Sequence, residues 1–126
     1  MQKSDGAIPW EDGRPPYARR ELRHVIMKLM LLKQIKSGRT YPYALVKYAA
    51  SVEMAHGFER TGAARKNDVY NTLASLERSG YIKAKRAVNG GRVKKYYSIT
   101  PDGSMVLRAS AKELMRTIRL VKELLG

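Results

Sequence analysis

The chain has 126 residues, no cysteine, and 25 Lys and Arg against 11 Asp and Glu, for a formal net charge of +14. This length makes one domain with a single core, and the absence of cysteine excludes disulfides, thiolate catalysis and thiolate metal sites and fits a reducing cytosol. The basic excess points to an anionic partner. No run approaches the roughly 18 apolar residues of a membrane span and the N-terminus lacks a signal peptide's apolar centre, so a cytoplasmic protein without membrane association is expected.

Residues 1–18 mix Gly, Pro and charge without period and are expected to form an extended or partly disordered arm. Ile8, Trp10 and Tyr17 lie within it, and apolar rings of this kind pack on the domain or on a partner. A first helix is predicted from about Arg20 to Lys36. Leu22, Val25, Ile26, Leu29, Leu32 and Ile35 form its stripe, widened by Met27, Met30 and Leu31. It is expected to be the centre of the core and also to touch a second subunit. Gly38 stops it, and Tyr41-Pro42 opens a second helix with Leu45, Tyr48, Ala49 and Val52 on the buried side. Residues 54–65 are expected to be a connection, with Phe58 packing back on the core. His24 and His56 have no neighbouring ligand set, so neither a metal nor any other cofactor is expected.

A third helix is predicted from Asn67 to Ser79. Val69, Leu73 and Leu76 share one face and Gly80 is the stop. The opposite face carries Asn67, Asn71, Ala74, Ser75 and Arg78, which suits a groove better than a core. Residues 81–99 then hold Lys83, Lys85, Arg86, Arg92, Lys94 and Lys95 and no acid, around an Asn89-Gly90 pair that favours a two-residue type I′ turn. A turn on those two residues would set Ile82 opposite Tyr97 and Lys85 opposite Lys94. Such a like-charged pair is destabilising unless a polyanion covers it. Thr100-Pro101-Asp102 is a strong helix start. The final helix can run to Leu125, roughly 36 Å at about 1.5 Å per residue, with Leu107, Ala111, Leu114, Ile118, Val121 and Leu125 at alternating spacings of four and three. That seam packs on a second subunit or folds back on the first helix.

Val69-Tyr70 with Leu73, Leu76-Glu77 and Gly80-Tyr81-Ile82, followed by Lys95-Tyr96-Tyr97-Ser98-Ile99-Thr100 and Gly103, resembles the signature of PadR-type winged-helix transcription regulators. Arg39-Thr40-Tyr41-Pro42-Tyr43 resembles the aromatic segment that opens the family's second helix. Asn71 stands where the family usually has proline, and Pro42 where it usually has glycine. The similarity runs from about residue 22 to the C-terminus. It implies a mainly α fold with a two-stranded β wing (α+β), a winged helix-turn-helix over residues 19–100 and a dimerisation helix over 101–126. It also implies a homodimer. Members of the family are mostly repressors, some responding to small aromatic or drug-like ligands, but nothing in the sequence marks out an effector pocket.

No nucleophile-base-acid set, phosphate-binding glycine loop or metal spacing is present, so an enzyme is not expected. The expected function is a homodimeric transcription regulator, in the family's manner a repressor, that binds double-stranded DNA. The third helix enters the major groove with Asn67, Asn71 and Ser75 nearest the bases. Lys66, Arg78, Lys83, Lys85, Arg92, Lys94 and Lys95 are the candidate backbone contacts. Two other classes fit the same residues: a sequence-indifferent protein that coats DNA, and an RNA-associated or protein-assembly module that uses the winged-helix fold.

Overall fold

The structure, a computed structural model, describes residues 16–38, 40–57 and 62–126. In chain order it has α1 (Pro16–Lys36), α2 (Pro42–Ala55), α3 (Gly62–Arg78), β1 (Ile82–Asn89), β2 (Arg92–Ile99) and α4 (Pro101–Leu125). Among the described residues, four helices and one antiparallel hairpin match the expected α+β class. Ile8, Trp10 and Phe58 lie outside the described residues, as does Arg39.

The core draws on every element. Met27, Leu31, Leu32 and Ile35 of α1 meet Leu45 and Ala49 of α2, Val69, Leu73 and Leu76 of α3, Ile82, Tyr97 and Leu107. The broad stripe of α1 therefore splits in two. The arc through Met27, Leu31 and Ile35 is buried, whereas Leu22, Val25 and Ile26, expected in the core, are 57%, 44% and 48% exposed. The helix is apolar over more of its circumference than its own domain covers.

Both helices of the helix-turn-helix are longer than expected on the side where they meet. α2 reaches Ala55 and α3 begins at Gly62, so the connection shrinks to 56–61 and Lys66 sits in the second turn of α3 rather than at its start. At the other end α3 closes in a Schellman arrangement. The Tyr81 N–H donates to the Leu76 carbonyl and the Gly80 N–H to that of Glu77, both at 3.0 Å, with Gly80 at φ +79°.

The hairpin turns on Gly90-Gly91, not on Asn89-Gly90. Both glycines have positive φ, +60° and +78°, as a type I′ turn requires, and Asn89 pairs with Arg92 as the last rung. Ile82 consequently faces Ile99, Lys85 faces Tyr96, and Lys94 faces Ala87. The expected Lys85–Lys94 repulsion is absent; the one like-charged rung is Arg86 with Lys95. Because the register moved by an even number of residues, each side chain keeps its predicted face. Ile82, Ala84, Tyr97 and Ile99 look toward the helices, and Lys83, Lys85, Arg92, Lys94 and Tyr96 look away.

A short third strand position completes the sheet. The Thr40 N–H donates to the Tyr97 carbonyl at 3.3 Å, and the Tyr97 N–H donates to the Thr40 carbonyl at 2.7 Å, on the edge of β2 away from β1. Pro42 restricts the residue before it to extended backbone, and Tyr41 lies at φ −118°, ψ 160°. That extension brings Thr40 alongside the strand.

Candidate nucleic-acid interface

The exposed face of α3 follows from the buried one. With Val69, Leu73 and Leu76 inward, Asn67, Asn71, Ala74 and Arg78 are exposed on the far side. Ser75 does not share that face. It is half-buried and lines an open cleft of about 250 Å³ with Val25, Lys28 and Leu29 of α1 and Ser110 of α4. One residue before Leu76 on the helix, it is turned toward α1, so the candidate base-reading set reduces to Asn67 and Asn71.

The two acids of α3 near this face are both held by cations from other elements. Asp68 Oδ2 is 3.6 Å from Arg23 Nε on α1, and Glu77 Oε1 is 3.9 Å from Lys95 Nζ on β2. Lys95 lies on the helix-facing side of the hairpin with its rung partner Arg86, and is half-buried there whereas Arg86 is exposed. Lys83, Lys85, Arg92 and Lys94 are exposed and lie together on the outward face. No acid interrupts them on either strand, so this face carries one sign of charge.

Aromatic rings extend the cationic surface toward α2. Lys94 Nζ lies 5.6 Å from the centre of the Tyr41 ring, and Tyr41 meets Tyr96 edge to face at 6.3 Å between centroids. Lys47 stands over Tyr43 at 5.5 Å, and Lys66 over Tyr70 at 5.9 Å. Each ring favours a cation over its face and holds a long side chain in place. Sequence reasoning did not include Tyr41, Tyr43, Lys47 or Tyr70 among the site residues. For the first three of these, the cluster of Tyr41, Tyr43 and Tyr48 around Lys47 was the available signal.

The seam of α4 divides along its length. Leu107 is buried in the core of its own chain and Leu114 is half-buried, whereas Ala111 is exposed and Ile118, Val121 and Leu125 are 40%, 45% and 84% exposed. Leu107 is thus spent within the monomer, and the free part of the seam starts beyond it. Among the described residues no group of His, Asp and Glu could hold a metal ion, and no helix is long and apolar enough to cross a membrane.

Residues 31–109 match the Transcriptional regulator PadR-like family. The chain belongs to that family. The PadR-like fold is also seen among solved structures. A PadR family transcriptional regulator from Eggerthella lenta is 28% identical, with a TM-score of 0.70 over 88% of this chain and 91% of that one. A PadR family regulator from Clostridium difficile is 19% identical, with a TM-score of 0.63 over 79% of this chain and 98% of that one. A transcriptional regulator from Clostridium thermocellum is 20% identical, with a TM-score of 0.70 over 85% and 97%. No curated protein matches the sequence. The matched span of this PadR-like regulator takes in α2, α3, the hairpin and the start of α4, and ends before the exposed part of the α4 seam.

Proposed function

We propose that this PadR-like chain is a sequence-specific repressor that binds duplex DNA as a homodimer. The observation that carries the reading is the exposed α3 face with two asparagines, set beside a wing face of four exposed cations with no acid on either strand. An amide side chain can donate to and accept from adenine at once in the major groove. Lys83, Lys85, Arg92 and Lys94, together with Lys66 and Arg78, supply charge for phosphates on either side, which positions the helix without reading sequence. The homodimer is supported by Ile118, Val121, Leu124 and Leu125 on α4 and by Leu22, Val25 and Ile26 on α1, which leave two apolar helix surfaces exposed on one chain. In this assembly residues 101–126 are the dimerisation helix.

A competition assay tests the reading. Binding to a duplex selected from a randomised pool is expected to exceed binding to random duplex by at least about a thousandfold. The turning of Ser75 toward α1 favours one second reading, a protein that coats DNA without reading it, because only two amides remain on the exposed face. Equal affinity for all duplexes would establish that alternative, and preference for structured RNA would refute both.

A further inference from the structure

Among the described residues Glu53 is the one polar or charged residue in the buried class, at 7% exposure. It follows Leu45 and Ala49 at steps of four, on the apolar stripe of α2. The Arg65 Nε–H donates to its Oε1 at 2.8 Å, and the two side chains are 9% and 13% exposed. Arg65 lies four residues before Val69, so it takes the inward position in the first turn of α3. The ion pair therefore joins the last turn of α2 to the first turn of α3 across the 56–61 connection.

Buried ion pairs contribute little net stability, because desolvating two charges offsets their attraction. Their distinctive property is direction: a planar guanidinium and a carboxylate meet only in a narrow range of geometries. Apolar burial is non-directional, so Val69, Leu73 and Leu76 hold α3 on the core while leaving its angle to α2 loosely specified. A second ion pair on this half of α3, Arg23 to Asp68 at 3.6 Å, has side chains 32% and 26% exposed and is screened more by water and salt. We infer that Glu53 and Arg65 are positioning residues for DNA reading: their buried pair fixes the angle between α2 and α3 and thereby aims Asn67 and Asn71. The inference rests on α3 being the recognition helix.

The absence of cysteine allows a direct test in the full chain. Lys47→Cys and Ala74→Cys, both at exposed positions, carry one spin label on α2 and one on α3 for the distance measurement alone; because both lie on the proposed DNA side, duplex preference is measured on the corresponding cysteine-free, unlabelled chains. Labelled chain is diluted with unlabelled chain so that only distances within a subunit are read. Glu53→Met with Arg65→Met replaces the pair by apolar side chains of related length. This variant is expected to melt close to the wild-type temperature yet give a broader distance distribution. Its preference for a selected duplex over random duplex is expected to fall by about fivefold to a hundredfold, the worth of one bidentate asparagine contact. The reversed pair, Glu53→Arg with Arg65→Glu, is expected to restore both the narrow distribution and the preference.

Arg65→Lys is the milder variant, keeping the charge while losing the planar fork, and is expected to shift both readouts in the same direction. Wild-type width and wild-type preference in the double methionine variant would overturn the inference. If that variant does not fold, the same result with Arg65→Lys overturns it. A wild-type chain with no preference among duplexes would instead refute the DNA reading, and the distance distributions would then decide on their own whether the pair fixes α3.

Discussion

Gly103 is where a substitution that helps most helices is expected to harm this one. It is the third residue of α4, and its N–H donates to the Thr100 hydroxyl at 3.0 Å. A Cβ at this position would stand 2.0 Å from the Tyr81 carbonyl oxygen and 2.8 Å from Ile99 Cγ1. The carbonyl cannot retreat freely, because it accepts from the Thr100 N–H at 3.1 Å. In an open helix interior Gly→Ala gains about 1 kcal/mol. Here overpacking costs about 1 to 3 kcal/mol or more, and shifting the backbone weakens the Thr100 cap, worth about 1 kcal/mol. With the helix gain subtracted, the net expectation for Gly103→Ala is a destabilisation of about 1 to 3 kcal/mol.

For a domain of this size that loss lowers the melting temperature by roughly 4 to 12 °C. Thermal unfolding followed by circular dichroism at one fixed protein concentration measures it, since self-association makes the midpoint depend on concentration. Gly62→Ala is the control, because a Cβ there meets nothing within 4 Å; its midpoint is expected to hold or rise. A Gly103→Ala variant that melts at or above the wild-type temperature would refute the close approach of α4 to Tyr81.

If, as proposed, four exposed wing cations on each subunit of a dimer meet the backbone, they would neutralise about eight phosphates; the log-log dependence of affinity on salt is then expected near −7, and a slope shallower than about −2 would take the wing off the backbone. Arg92→Ala is expected to weaken selected and random duplexes by similar factors and to make that slope shallower by about one unit. Asn71→Ala is expected to cost about 1 to 3 kcal/mol on a selected duplex and little on random DNA, while Ser75→Ala, on the α1 side, leaves the preference unchanged; equal effects of the two in a competition assay would return Ser75 to the reading face. Ile118→Glu with Val121→Glu alters exposed seam positions without touching buried Leu107, and is expected to give a folded monomer by sedimentation; a dimer that persists would move the interface elsewhere.

Much of the fold was legible because local rules and packing agree over most of the chain. The spacing of Val69, Leu73 and Leu76 marked the buried face of α3, and Thr100-Pro101 marked the start of α4, where the Thr100 hydroxyl accepts from Gly103. The start of α3 was hidden because its first inward position is Arg65 rather than an apolar residue. The apolar period begins only at Val69, and the helix is completed by an ion pair that the acid on α2's stripe could have suggested. Asn89-Gly90 and Gly90-Gly91 both satisfy the turn rule, so sequence alone could not choose the register. Ser75 was misplaced because a face drawn opposite the core takes in the flank as well, and only the position of α1 shows where that flank ends.

Helix α3, the hairpin and helix α4 are not independent parts. The Thr100 hydroxyl accepts from Gly103 and donates to the Gly80 carbonyl at 2.7 Å, while Tyr81 donates to Leu76 at the end of α3 and accepts from Thr100 at the start of α4. The end of α3, the root of β1 and the first turn of α4 therefore share one hydrogen-bonded junction, closed by the missing Cβ of Gly103. In a dimer built on the exposed half of α4, that junction at one end of α3, together with the Glu53–Arg65 pair at the other, would leave little freedom between the dimer axis and each α3. The separation of the two reading helices would then be set by the crossing of the two α4 helices, and with it the spacing of half-sites, about 34 Å for sites one DNA turn apart. Repacking the outer α4 seam is accordingly expected to change which half-site spacing binds best while leaving the bases read within each half-site unchanged, a separation that selection from a randomised pool with variable spacers measures directly.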